Sequence, residues 1–196
     1  VRLLYLCVHS WGEVLDMTIT DRCQFGELLN EMGLVGKAAE IGVHRGEFSQ
    51  LLLRTWRGAK LWLIDPWRHL DDYANDPTND GDRDADRVAC LEDLADQRGR
   101  YGVLRCQSST AAAYFGSAIF DFIYIDANHN EPSVREDLEL WYPKLKPGGI
   151  FAGHDYLSTV TWPGVQKAVN EFAAKHGIER VNTTLEPGGS WWWVKP

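Results

Sequence analysis

The chain has 196 residues, 44% of them apolar and 24% charged, a length and balance that support one core and exclude a disordered polymer. Twenty Lys and Arg against 28 Asp and Glu leave a net charge of -8, which repels phosphate backbones and excludes an ordinary nucleic-acid binder. No apolar run reaches the roughly 20 residues of a membrane span, since Leu3–Val8 stops at His9 and Ser10, so no membrane partner is expected.

Residues 1–35 are expected to form an N-terminal helical segment ahead of a main domain over 36–196. That domain opens with a strand over Lys37–Val43, a turn holding Gly42 and Gly46, and a helix with apolar positions at Phe48, Leu51, Leu52 and Trp56. A second strand, Leu61–Ile64, ends at Asp65 and Pro66. Asp71–Asp96 then carries ten acidic residues and two arginines, a local charge of -8. A calcium loop beginning at Asp76 fails, because Thr78 falls at position 3 and Arg87 at position 12, where a bidentate Glu is required. Residues from about 68 to 85 read instead as a mobile acidic insertion, a candidate lid, leading into a helix that carries Val88, Leu91 and Leu94.

A third strand, Gly102–Arg105, precedes a small-residue helix starting near Ser109. Phe120–Ile125 is apolar almost throughout and ends at Asp126, and Glu131–Trp141 carries Val134, Leu138 and Trp141 on one stripe with Pro132 in its first turn. Pro147, Gly148 and Gly149 break the chain before a strand over Ile150–Gly153. The next helix buries Val165, Ala168, Val169, Phe172 and Ala173 and stops at Gly177. Ile178–Thr183 and Trp191–Val194 read as two strands joined through Pro187–Gly189, with the three consecutive tryptophans serving core and hairpin packing. Alternating strands and helices predict an α/β fold: a doubly wound, mostly parallel sheet covered on both faces, with an antiparallel hairpin at its C-terminal end. Ligands bind beyond the carboxyl ends of such strands, so the residues that follow each strand are the candidates for function.

The first of these turns, Glu40 to Gly46, offers backbone to a ligand, yet it lacks the middle glycine of a dinucleotide fingerprint. A ligand without a pyrophosphate fits it better. Asp65, an ionised carboxylate at a strand end, can accept from two ribose hydroxyls, and Glu40 can meet a cationic amino group. The scattered cysteines, Cys7, Cys23, Cys90 and Cys106, form no CxxC pair, which points to a reducing cytoplasm rather than a disulfide framework.

Glu40–Ser49 (EIGVHRGEFS), Leu63–Trp67 (LIDPW), Asp121–His129 (DFIYIDANH) and Trp141–Tyr156 (WYPKLKPGGIFAGHDY) resemble the class I S-adenosylmethionine-dependent methyltransferases. More narrowly, they resemble the small-molecule subgroup that includes the metal-dependent macrolide-sugar O-methyltransferases. The resemblance runs from about Gly36 to the C-terminus. It implies a Rossmann-like single domain and S-adenosylmethionine beside Glu40, Gly42, Val43, Gly46, Asp65 and Asp126, with adenine near Trp67 and Ser109.

A sulfonium donor is already activated, so the remaining tasks are to align an acceptor hydroxyl and remove its proton. Asp126 and Asp155 follow neighbouring parallel strands about 4.8 Å apart, so their carboxylates can share a divalent cation, Mg2+ or another, with His154 as third ligand or hydrogen-bond partner. His129, three residues after Asp126, is the candidate general base. The resemblance implies the same roles for Asp126, Asp155 and His129, and His154 stands where that family has an acidic ligand. Asn128 and Asn130 have a plainer reading as caps for the following helix, and Trp162 is placed near the acceptor. The expected partner is a small hydroxylated molecule of sugar or polyol kind, and self-association as a homo-oligomer is allowed. Two alternatives stand beside this reading. An NAD(P)-dependent oxidoreductase would use a related sheet, and a non-catalytic nucleoside-binding module would need Asp126, His129 and Asp155 to point away from one centre.

Overall fold

The computed structural model describes residues 18–71, 73 and 79–196. The apolar run Leu3–Val8, the first half of the expected helical segment, Cys7, and Asp76 and Thr78 of the acidic insertion lie outside the described residues. The helices are α1 (Phe25–Glu31), α2 (Glu47–Thr55), α3 (Arg83–Asp93), α4 (Ser108–Ala112), α5 (Glu131–Trp141) and α6 (Pro163–Lys175). The strands are β1 (Lys37–Ile41), β2 (Lys60–Ile64), β3 (Tyr101–Leu104), β4 (Phe120–Ile125), β5 (Leu145–Gly153), β6 (Asn182–Thr183) and β7 (Trp191–Val194). They form one sheet in the order β3-β2-β1-β4-β5-β7-β6, parallel from β3 to β5, with β7 antiparallel to both neighbours.

Each strand alternates side chains between two apolar layers, which is why β4 is buried at every position. Phe122 and Tyr124 pack with Phe25, Leu29, Phe48 and Leu52 on one face, whereas Ile123 and Ile125 pack with Val134, Leu138 and Val169 on the other. Phe25 of α1 is fully buried in that first layer, so the N-terminal helix shares the core of the main domain. Trp192 joins the first layer and Trp191 and Trp193 the second, so the tryptophan triplet seals both faces. Among the described residues no helix is long and apolar enough to cross a membrane.

Three local expectations are corrected. Pro147–Gly149 do not precede β5 but bulge within it: Phe120 pairs with Leu145 and Phe122 with Ile150, and the extra residues are held by bonds between Gly148 N and Lys195 O and between Lys195 N and Gly149 O. The strand expected over Ile178–Thr183 shortens to Asn182–Thr183. The inner stripe of α3 is Asp86, Cys90 and Leu94 rather than Val88, Leu91 and Leu94, and Val88 is exposed. Asp86 can turn inward because Arg45 and Arg83 stand 3.0 and 3.1 Å from its carboxylate.

Candidate functional site

The sheet order reverses between β1 and β4, and a cleft opens at their carboxyl ends. Of the residues expected beside a cofactor, Gly42, Asp65, Ser109 and Asp126 line it. Gly42 has φ +84°, and a Cβ there would stand 2.0 Å from the carbonyl oxygen of Asp126. Only glycine lets the β1 turn cross so close to the end of β4.

Glu40, Val43, Gly46 and Trp67, expected at the same ligand, stand behind the wall instead. Glu40 is 2% exposed, its carboxyl bonded by the Ser49 hydroxyl, and burial pushes it well above the usual carboxylate range. Ser49 stands on α2, so that helix holds one oxygen of Glu40. Gly46 is the N-cap of α2 at φ +78°. Val43 and Trp67 are buried and serve Asp65. Its Oδ2 accepts from Val43 N and His44 N, both at 2.9 Å, and its Oδ1 from Trp67 N at 2.6 Å. The indole of Trp67 donates to His44 O at 2.8 Å, tying the two turns together. Asp65 therefore organises the turn, and its remaining acceptor capacity faces the cleft.

Asp126, His129, His154 and Asp155 converge next to this wall. His129 Nε2 lies 3.0 Å from Asp155 Oδ2 and 3.9 Å from Asp126 Oδ1. His154 Nδ1 lies 3.2 Å from Asp155 Oδ2 and 4.0 Å from Asp126 Oδ2. Burial alone would raise the Asp155 carboxyl, but bonds from His129, His154 and Ser158 hold it well below the usual range. Burial would lower His154, yet the Asp155 bond and the charges of Asp126 and Asp155 raise it. Asp126, His154 and Asp155 each offer a ligand atom, all within 4.8 Å of one another. Two carboxylates and an imidazole fit a divalent cation. A non-catalytic module would need these side chains to diverge, and they do not. The capping reading holds for Asn130, whose Oδ1 accepts from Ser133 N at 3.0 Å.

Trp162 stacks on His129 with ring centroids 4.7 Å apart. Two further residues had no sequence signal. The Tyr73 hydroxyl is 3.1 Å from His129 Nδ1 and 3.2 Å from Ala127 O, and Arg22 Nη1 is 3.7 Å from Asp126 Oδ2. Both arrive from segments distant in sequence.

A family model described as a methyltransferase domain matches residues 39–156. No curated protein matches the chain. Among solved structures, the O-methyltransferase NovP is 20% identical with a TM-score of 0.61, covering 89% of this chain and 77% of its own. An O-methyltransferase from Bacillus cereus in complex with SAH is 16% identical at 0.60, covering 93% and 84%. TomG from Streptomyces achromogenes, an O-methyltransferase involved in tomaymycin synthesis and solved with SAM, is 16% identical at 0.61, covering 93% and 83%. These likenesses establish the shared fold. The family match spans more than half of the sequence and displaces the oxidoreductase alternative, and the protein belongs to the class I S-adenosylmethionine-dependent methyltransferases.

Proposed function

We propose that the protein transfers the methyl group of S-adenosylmethionine to a hydroxyl of a small molecule of sugar or polyol kind. The observation that carries this reading is that Asp126 belongs both to the cleft wall and to the cluster containing His129 and Asp155, so a donor and an acceptor can meet across one side chain. The similar O-methyltransferases solved with SAM or SAH support the same donor.

His129 is the base. Asp155, kept ionised, can only accept, so the proton of a neutral imidazole sits on Nε2 and the lone pair on Nδ1. The Tyr73 hydroxyl occupies the place at Nδ1 that an acceptor hydroxyl would take. As the acceptor loses its proton to Nδ1, Asp155 and Asp126 stabilise the imidazolium, and stacked Trp162 keeps the ring in plane. Such a base contributes roughly 100- to 10,000-fold. A divalent cation held by Asp126, His154 and Asp155 would supply Lewis acidity toward the acceptor oxygen. The mixed nitrogen and oxygen donors suit manganese as well as magnesium. A reducing, cytoplasmic setting agrees with the free Cys23, Cys90 and Cys106.

The test is a methyl-transfer screen over hydroxylated small molecules with labelled S-adenosylmethionine, with chelator and with added Mg2+ or Mn2+. Transfer to a hydroxyl that chelator abolishes and a cation restores is the expected result. Absence of calorimetric heat with S-adenosylmethionine or S-adenosylhomocysteine would overturn the reading.

A further inference from the structure

Arg22 meets the Asp126 cluster from outside the stretch that the family model matches. It stands in a single 3-10 turn, Arg22–Gln24, whose ends are tied. Asp21 Oδ1 accepts from Cys23 N at 2.8 Å, Gln24 Oε1 accepts from Asp21 N at 3.0 Å, and the next residue, Phe25, is fully buried in the core. The backbone at Arg22 is therefore fixed relative to the sheet.

Its head group is held as well. The guanidinium meets the Tyr124 hydroxyl, Tyr124 Oη and Ser190 Oγ are 2.9 Å apart, and Ser190 Oγ donates to Glu186 Oε1 at 2.7 Å. A guanidinium can only donate, so the Tyr124 proton points on to Ser190 and the Ser190 proton to Glu186. Tyr124 and Ser190 are fully buried. The positive charge is thus kept beside Asp126 by an interior chain of bonds. Asp126 Oδ2 lies 3.7 Å from Arg22 Nη1 and 4.0 Å from His154 Nδ1, so the carboxylate oxygen on the His154 side is also the one that faces the guanidinium. At 3.7 Å the two form a charge pair without a hydrogen bond. Both side chains are only 24% exposed, so water and salt screen the charge less than on an open surface.

We infer that Arg22 is a fixed counter-charge to Asp126 that lowers the affinity of the cluster for a divalent cation, making that cation exchangeable rather than permanently held. The inference rests on the cation reading of Asp126, His154 and Asp155. Arg22 is a positioning residue that acts through Asp126: a cation on that carboxylate shares its ligand with a like charge that cannot be deprotonated, and the two repel.

Titration of the full chain with Mn2+ alone, read from the paramagnetic resonance of the free ion, tests it without turnover. Arg22→Met and Arg22→Gln are expected to bind Mn2+ at least about five-fold more tightly than the wild type. Arg22→Lys keeps the charge and is expected to stay within about two-fold of it. A merely structural role has the opposite sign, because a loosened turn would scatter the ligands and weaken the ion. Asp155→Ala, which removes a ligand, is expected to lose the binding. Neutral variants that bind Mn2+ no more tightly than the wild type overturn the inference, as does an Arg22→Lys protein that binds as tightly as the neutral ones. Arg22→Gln, which keeps a donor for Tyr124, decides the matter where Arg22→Met does not fold. Calorimetry with S-adenosylhomocysteine adds a further check: a loss of about ten-fold or more in donor affinity with Mn2+ binding unchanged would assign the guanidinium to the donor and overturn the inference. If neither the wild type nor the neutral variants bind Mn2+, or if Asp155→Ala binds it as well as the wild type, the cation reading falls and this one with it. Equal binding by wild type and neutral variants, lost in Asp155→Ala, removes only the role of Arg22.

Discussion

The two ends of the cleft are built from different material. At the β1 and β2 turns the ligand-facing surface is backbone, shaped by Gly42 and by an aspartate whose oxygens gather three N–H groups. At the β4 and β5 ends it is a knot of titratable side chains in which each of two histidines lies within 4.0 Å of both aspartates. The first end is set by conformation and tolerates little substitution. The second is set by charge, so protons and cations can tune it while the fold stays unchanged.

Substitutions that separate the two ends test that contrast. The largest effect is expected from His129→Ala, a 100- to 10,000-fold fall in kcat (order of magnitude) with the Kd for S-adenosylhomocysteine nearly unchanged, read from single-turnover kinetics beside calorimetry. An equal loss in both would merge the two ends into one. Asp65→Ala should do the reverse, weakening S-adenosylhomocysteine about ten-fold or more. It should also lower stability by about 2 kcal/mol or more, because three backbone donors lose their acceptor. Denaturant unfolding supplies the second number. Chelation should lower turnover about ten-fold or more without shifting the Kd for S-adenosylhomocysteine, and restoration by Mn2+ and Mg2+ compares the imidazole donor with the carboxylates.

The smallest effect concerns pH. The Asp137 carboxyl is raised to about 7 when folded, chiefly by burial, against an unfolded value of about 3.9. The folded protein therefore holds a proton that the unfolded chain releases, and stability contributed by this group falls as pH rises from about 4 to 7 and is flat above. Asp137→Asn should remove that slope, so thermal melts should show the variant gaining about 1 to 3 kcal/mol on the wild type between pH 5 and pH 8. Parallel melting curves for the two proteins would refute the assignment.

Much of this architecture is legible in the sequence, for reasons visible at particular residues. β4 is readable because FDFIYI must be apolar on both faces, and α5 because Asn130 and Pro132 punctuate its start. Asp126 and Asp155 are readable because a charge that ends a buried strand has few other places to go. What is not legible depends on partners far away in the chain. Tyr73 reaches His129 across 56 positions, and Arg22 approaches Asp126 from ahead of the first strand. Glu40 is readable as the acid at the end of the first strand, but its bond to Ser49 on the next helix is not. The inward turn of Asp86 requires arginines that no apolar periodicity records.

The placement of β7 between β5 and β6 has a consequence for the order of assembly. β6 pairs only with β7, so it joins the rest of the sheet only when β7 pairs with β5. During folding β5 therefore presents an open ladder of N–H and C=O groups, a template for strand addition by another chain. Three adjacent indoles close that window, because docking β7 draws Trp192 into one layer and Trp191 and Trp193 into the other in a single event.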